Sequence, residues 1–466
     1  MIRTRFSPSP TGLLHLGNVR AALFSALFAA HSKGIFLIRI EDTDYARSED
    51  RFITSLLDDL RWLGIEWQEG PDVGGAHTPY RQSERHSIYD GYYQQLEAIG
   101  RAYPCFCSDQ ELALNRKIQL SRGQAPRYPG TCRNLSKEEI EKRIADGKKP
   151  TLRFQVPTKT VIEFVDLVKG PQKFNSDDIG DFIIRRGEGT ASFMFCNAID
   201  DSLMEVTHAI RGEDHLANTP RQLMILQALK MRTPEYGHLS LITGDDGAPL
   251  SKRHGSSSLH DLREQGYLPR AVLNYLSRLS HAYDEQKLLT FFELAERFHL
   301  GKISRASARF DVNQLLHWQK EAVMALDSTE VSAWLGQQGI PENKHDLFIE
   351  VMQKNILFPT EALKWKDIFF GGRLQFSVEN EAILKEAGES FFIAAEAAVK
   401  QHGLDLKAIL DELKTTLSVA GKKLFMPLRI ALTGEQHGPE LVQIANLLGQ
   451  EKMRERINEA LAHVRT

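Results

Sequence analysis

Three features of the sequence predict an α/β fold built on a parallel sheet and followed by an all-helical region. Strand-like apolar runs alternate with helical periodicity over roughly the first hundred residues, the alternation returns after about residue 172, and from about residue 310 the spacing is mostly helical to the end. The 466 residues give room for two to four domains. With 42% hydrophobic and 26% charged residues, the composition is that of a globular protein and excludes a disordered or fibrous chain.

Taken in order, Thr4–Phe6 forms a short strand and Ser7 to Gly17 a loop rich in Pro and Gly. Val19, Ala22, Leu23, Ala26, Leu27 and Ala30 then recur at helical spacing, with Asn18 placed to cap the helix. Ile35–Ile40 is a buried strand, and residues 49–63 and 86–99 are helices. From about Tyr103 to Pro171 the texture changes. A cysteine cluster, a charged stretch from Lys137 to Lys149 and short strands at Leu152–Val156 and Val161–Val168 have the character of an insertion. Phe182–Arg185, Phe193–Ile199 and Val206–Ile210 resume the strand pattern, followed by a helix from about Asn218 to Leu229.

Several classes are excluded on composition. The opening MIRTRFSPSP lacks the apolar core of a secretory signal, and no apolar run approaches the length of a membrane span, so the cytoplasm is the expected location. Four cysteines are too few for a disulfide scaffold. Cys105, Cys107 and Cys132 cluster as metal ligands would, while Cys196, in an apolar run, suits packing. A net charge of −3 argues mildly against a nucleic-acid binder, but a sum does not locate charge. Basic spots stand at Lys252–Arg253 with His254, at Arg305 with Arg309, and at Lys422–Lys423.

Two segments have the makings of phosphate sites. In SPSPTGLLHLGN, residues 7–18, prolines stiffen the loop and glycines let a base or phosphate approach the backbone. The helix start beyond it offers free N–H groups to an anion, and His15 stands where it could donate to a phosphate oxygen. Taken alone, His15 could equally be a core histidine satisfied by backbone. In PLSKRHGS, residues 249–256, a glycine-rich stretch carries Lys252, suited to charge that develops as pyrophosphate leaves; taken alone, it could be a basic surface turn.

Together the two segments resemble the halves of a class I aminoacyl-tRNA synthetase site: His15-Leu16-Gly17-Asn18 is similar to the HIGH motif and Pro249 to Arg253 to the KMSKS motif. TRFSPSPTG, RIEDTD (39–44), EGPDVGG (69–75), RQSER (81–85), IRGEDH (210–215), NTPRQ (218–222) and LSKRHG (250–255) resemble the bacterial glutamyl-tRNA synthetase family across most of residues 1–320, and ALTG (431–434) does so more loosely. The resemblance implies a Rossmann-like parallel sheet with an inserted acceptor-binding subdomain and an all-α anticodon-binding region. The corresponding domains are 1–102 and 172–235 for the two catalytic halves, 103–171 for the insertion, 236–315 for a stem-contact region with the second motif, and 316–466 for the helical region. It implies ATP-dependent activation of L-glutamate, Mg2+ with the nucleotide, transfer to tRNA(Glu), activation that waits for bound tRNA, and a monomer.

Residue by residue, the resemblance places ATP at His15, Gly17, Asn18, Glu213, Ser251, Lys252 and Arg253, with His15 and Lys252 as the catalytic stabilisers. It places glutamate at Arg5, Ser9, Glu41, Phe193, Asn197 and Arg211. The chemistry is apt: arginine forks pair with two carboxylate oxygens, and the substrate carboxylate needs no general base to become a nucleophile.

The chain departs from the family pattern in four places. Phe193 stands where Tyr is usual, removing a donor to the substrate, and Pro249 stands where Lys is common. Cys105, Cys107 and Cys132 match a family zinc knob, with Asn134 where a fourth ligand is often His and Tyr128 as the alternative ligand. The arginine that restricts family members to the glutamate tRNA is absent near Gln353–Asn355, which points to relaxed choice or to tRNA(Gln). Three competing readings are a truncated relative that modifies a tRNA base, a nucleotidylyltransferase and a non-catalytic RNA-binding paralogue. The helical region 310–466, the set Arg5, Glu41 and Arg211, and the retention of His15 and Lys252 speak against them in turn.

Overall fold

A four-stranded parallel sheet organises the catalytic part of the molecule. Its order is Ile35–Ile38, Arg3–Phe6, His208–Gly212, Glu235–Leu239. The structure is a computed structural model, and it describes residues 1–250, 258–336 and 339–465. Ser251, Lys252 and Arg253 of the second phosphate segment lie outside the described residues.

Arg3–Phe6 is buried at all four positions because both of its faces are covered. The helix Leu16–His31 crosses over to Ile35–Ile38, and its inward residues, Val19, Ala22, Leu23 and Leu27 among them, are fully buried. The chain then leaves this side, and His208–Gly212 pairs on the other edge of Arg3–Phe6. Strand order thus reverses around the first strand, which opens a crevice at the carboxyl ends of Arg3–Phe6 and His208–Gly212.

Three details differ from the expectations. Asn18 does not cap the first helix: His15 occupies the cap position, and its carbonyl accepts from the backbone N–H of Asn18 (2.9 Å) and Val19 (3.0 Å). Phe193–Ile199 is not a strand but part of a helix, Phe193–Leu203, with residues 195–201 all buried. A short apolar run buried all round carries no periodicity that separates the two. Phe182–Arg185 is a strand, but it joins an antiparallel sheet with Ala102–Cys105 and Thr151–Phe154 rather than the parallel one.

Beside that antiparallel sheet, Val161–Asp166 and Gly170–Asn175 form a hairpin. Its turn is fastened to the edge strand by Leu167 N–H donating to the Tyr236 carbonyl at 2.8 Å.

The chain divides into two compact units, residues 1–264 with 269–315, and residues 265–268 with 316–466. The second is helical. Val378–His402 and Leu441–Val464 pack against Leu406–Leu417, Lys422–Thr433 and shorter helices around Phe348, Phe391, Phe392, Leu424 and Ile457. Both long helices break at glycines with positive φ, Gly388 (78°) and Gly449 (77°), a conformation that favours Gly. Gln353 donates to the carbonyls of Val323 and Leu326 at 3.0 and 2.8 Å, and Asn355 to that of Val351 at 2.7 Å, so their amides are engaged within this unit. Among the described residues, no helix is long and apolar enough to cross a membrane.

Candidate active site

The crevice holds a cavity of about 260 Å3 lined by Arg5, Ser9, Asn18, Glu41, Phe193, Asn197 and Arg211, together with Thr11, Ile210, Asp214, His215 and other neighbours. Strand ends supply Arg5 and Arg211, the segment after the second strand supplies Glu41, and one face of Phe193–Leu203 supplies Phe193 and Asn197. Residues as far apart in the sequence as Arg5 and Arg211 therefore converge because the sheet reverses here.

The two arginines differ in how their charge is met. Arg5 donates from Nε and Nη2 to the two oxygens of Asp201, each at 3.2 Å, and from Nη1 to the Ile210 carbonyl at 3.3 Å. Its charge is balanced inside the protein. Arg211 donates only to neutral acceptors: His238 Nε2 (3.1 Å), Asn197 Oδ1 (3.5 Å), Thr219 Oγ1 (2.9 Å) and Gln222 Oε1 (2.7 Å). It is 6% exposed, and no carboxylate contacts it among the described residues. Four of its five N–H groups are engaged, leaving one on Nη1. Burial lowers its pKa from 12.5 to about 10, the mark of a cation without a counter-ion at hand.

Glu41 accepts from Asn197 Nδ2 at 2.5 Å and from Arg39 at 3.2 Å. Burial pushes its carboxyl upward, and Arg39, Arg5 and Asn197 only partly offset this. An ammonium group beside it would hold it ionised. The Phe193 ring lies tilted on His215 with centroids 5.2 Å apart, and burial followed by the nearby Arg211 lowers the His215 pKa to about 4, so that imidazole is neutral.

Beneath the cavity lies a charged layer that the motifs did not reveal. Arg39 reaches Asp201 at 2.8 Å, and Asp200 accepts from Arg85 (2.8 Å), Gln82 (2.9 Å) and Tyr89 (2.7 Å). Asp42 accepts from the backbone and side chain of Ser83 at 2.8 and 2.7 Å. RIEDTD and RQSER are therefore halves of one network. Arg39 inside the apolar run IFLIRI, and Asp200–Asp201 after another, were the available signal, since a charge in a buried run demands a partner.

The residues assigned to ATP are distributed differently. His15 is exposed, which removes the reading of a buried, backbone-satisfied histidine. Next to it, the Leu14 carbonyl accepts from Leu259 N–H at 3.0 Å, so the chain leaving residues 251–257 is pinned beside His15. At the other end Leu250 N–H donates to the Ile242 carbonyl at 2.9 Å. Glu213 does not line the cavity. It pairs with Lys169 and accepts from Leu241 N–H at 2.8 Å, at the root of the second phosphate segment. Of the basic spots, Arg309 is paired with Asp245 at 2.8 Å, and Arg305 donates to the Val168 carbonyl at 3.0 Å.

The sulfurs of Cys105, Cys107 and Cys132 all lie within 4.8 Å of one another. The Tyr128 hydroxyl is 3.4 Å from Cys105 and 3.5 Å from Cys107, and it also accepts from Cys132 N–H at 2.8 Å. Three soft sulfurs closing on one point with an oxygen beside them are a donor set that fits zinc. Burial pushes the Cys105 thiol up, but Tyr128 and Arg153 outweigh it and hold it down near about 7. The Cys196 thiol lies 3.2 Å from both Gln82 Oε1 and the Ser192 carbonyl within the core, two acceptors for its single proton.

An exposed helix start and a cavity lined by Arg5 and Arg211 meet at one reversal of a parallel sheet, as expected of a class I synthetase core. The profile described as "tRNA synthetases class I (E and Q), catalytic domain" matches residues 1–317, and "Anticodon binding domain" matches residues 314–461. "Glutamate--tRNA ligase 2" of Nitrosococcus oceani is 52% identical over 463 residues, covering 99% of this chain and 98% of that one. "Glutamate--tRNA ligase 2" of Coxiella burnetii is 51% identical, covering 99% of this chain and 100% of that one. The crystal structure of a glutamate tRNA ligase from Elizabethkingia meningosepticum in complex with its amino acid superimposes with a TM-score of 0.89 at 29% identity, covering 99% of each chain. The chain belongs to the glutamate–tRNA ligase family.

Proposed function

We propose that this chain joins L-glutamate to the 3′-terminal ribose of tRNA(Glu), with the cavity between Arg5 and Arg211 as the glutamate site. Arg211 receives the side-chain carboxylate, Glu41 with Ser9 receives the ammonium group, and Asn197 ties the two together by donating to Glu41 and accepting from Arg211. The α-carboxylate then attacks the α-phosphorus of ATP, the bond to the β-phosphate breaks and pyrophosphate leaves. Positioning supplies most of the rate, since the nucleophile is already anionic. His15, Gly17 and Asn18 hold the nucleotide at the helix start. Ser251, Lys252 and Arg253 complete the site by sequence, and Glu213 acts at the root of that segment. Mg2+ would supply charge on the phosphates. Cys105, Cys107, Cys132 and Tyr128 would hold a structural zinc, and the monomer and the cytoplasm are the expected state and place.

The observation that carries this reading is Arg211, buried and surrounded by neutral acceptors. A protein has little reason to bury an unpaired cation unless a ligand completes it. A second reading, charging of tRNA(Gln) as well or instead, rests on the absence of an arginine at Gln353–Asn355, the segment assigned to anticodon choice. Aminoacylation with labelled glutamate and each purified tRNA separately tests both. Charging of tRNA(Glu) supports the main reading, charging of tRNA(Gln) the second, and charging of neither by folded, ATP-binding protein overturns both.

A further inference from the structure

Among the described residues no carboxylate touches Arg211, but one stands a single residue away. Asp166, at the end of the strand Val161–Asp166, is 2% exposed. Its Oδ1 accepts from the backbone N–H groups of Val168 (2.9 Å), Lys169 (2.8 Å) and His238 (3.2 Å). Its Oδ2 lies 2.5 Å from Nδ1 of His238, which is fully buried. Nε2 of the same ring is 3.1 Å from Arg211 Nε and 3.2 Å from Thr219 Oγ1. A carboxylate can only accept and a guanidinium can only donate, so the ring must carry its proton on Nδ1 and present a bare lone pair at Nε2.

We propose that Asp166 and His238 are positioning residues for glutamate recognition: Asp166 fixes the Nδ1–H tautomer of His238, and the Nε2 lone pair fixes the rotation of the Arg211 guanidinium. The inference rests on the reading that Arg211 receives the substrate side-chain carboxylate. Its logic is the contrast with Arg5. A carboxylate placed directly on Arg211 would take the N–H groups meant for substrate, as Asp201 takes those of Arg5. An imidazole between the charges delivers the counter-charge from behind Nε and leaves the remaining Nη1–H for a ligand. Such indirect support of a ligand-binding group is common where its orientation decides affinity. Because Asp166 belongs to the inserted hairpin, the placement of that hairpin against Glu235–Leu239 enters the geometry of the amino-acid cavity.

Asp166→Asn tests this sharply. Three backbone N–H groups at the Oδ1 position require an oxygen there, so the new amide NH2 must fall at the Oδ2 position and point at Nδ1 of His238. The ring is then forced to the Nε2–H tautomer, donor against donor with Arg211. This is the tautomer failure known when the Asp of a Ser-His-Asp triad becomes Asn. We expect D166N to raise the glutamate KM roughly ten- to hundredfold, the range for losing a hydrogen bond to a charged group, with ATP and tRNA KM unchanged and kcat changed less. A merely structural role would lower the active fraction without that split. His238→Gln keeps an acceptor toward Arg211 and has no tautomer, so D166N should add nothing on that background. Equal penalties with and without H238Q overturn the proposal. Nitrogen-15 spectra of histidine-labelled wild-type protein, with the H238Q spectrum to assign the ring, give a test that needs no stable Asp166 variant. An Nδ1-protonated ring supports the relay and an Nε2-protonated one overturns it. Arg211→Gln separates the levels: if it leaves glutamate KM unchanged, the underlying site reading fails, whereas if it raises KM and D166N does not, only the relay fails.

Discussion

Replacing Arg211 with Gln should cost glutamate recognition heavily and folding stability little. The burial that lowers the Arg211 pKa from 12.5 to about 10 corresponds to a folding cost of about 3 kcal/mol for the charged form. The lowered value belongs to a cation, so that cost is fully present below about pH 10 and fades only as the pH rises toward 12.5. A neutral side chain removes it at pH 7. Against this gain stand the lost hydrogen bonds. Thr219 and His238, 3.2 Å apart, can satisfy each other, so the acceptor left most exposed is Gln222 Oε1, an orphan worth about 1–3 kcal/mol. The two sides nearly cancel, and we expect stability within about 2 kcal/mol of wild type. The glutamate carboxylate, by contrast, loses a charge-assisted partner worth about 1.5–3 kcal/mol, or roughly 10- to 150-fold in kcat/KM. Urea unfolding and steady-state aminoacylation on the same preparation measure both quantities. A loss of more than about 4 kcal/mol of stability would show that the arginine is a structural element, and unchanged kcat/KM for glutamate would refute its role in the cavity.

Two further outcomes follow from the same geometry. Phe193→Tyr puts a hydroxyl at the mouth of a cavity rich in charge, on a ring already seated against His215, and should lower glutamate KM by about three- to tenfold in the same assay; no decrease would mean that the existing donors already saturate the substrate. For the cysteine cluster, metal analysis of protein purified without chelator should find one zinc per chain. Cys132→Ser should lose it along with several degrees of melting temperature, whereas metal-free protein that melts normally would leave the cluster as three thiols and a phenol.

The sheet and the helical region were legible because long periodic segments carry their own evidence. The strand–loop–helix opening, the 49–63 and 86–99 helices and the long helical stretch after residue 310 all appear close to where spacing put them. The helix Phe193–Leu203 is not legible as such, because every residue from 195 to 201 is buried and a segment buried all round has no polar face to reveal its period. Phe182–Arg185 carries the strand pattern, but the sheet it joins is set by its pairing with Thr151–Phe154, which local sequence does not show. At the site, Arg5, Ser9, Glu41, Phe193, Asn197 and Arg211 are found together around one cavity. The parts played by Thr219, Gln222, His238 and Asp166 are not legible in the sequence, because they depend on which atom each one faces.

How buried charge is arranged here explains why such a cavity can be both stable and receptive. Arg39 is fully buried, and although desolvation works against its charge, Asp201, Asp200 and Glu41 raise its pKa further above its ordinary value. Arg5 shares Asp201 with it. Arg39, Asp200 and Asp201 each have an opposite charge within ion-pair reach and act as scaffold, while Arg5 and Glu41 join that layer to the cavity they line. Arg211 sits on the same layer but is answered by dipoles and by a carboxylate held behind an imidazole. Hydrogen bonds to neutral groups orient it without quenching its field, and burial lowers its pKa, with Asp201 and Glu41 only partly offsetting this. An incoming carboxylate therefore recovers a desolvation cost the fold has already met. On the proposed assignment of Arg211 to the side-chain carboxylate, a ligand that brought an amide in its place would find the same donors but no charge to compensate, which would favour glutamate over glutamine.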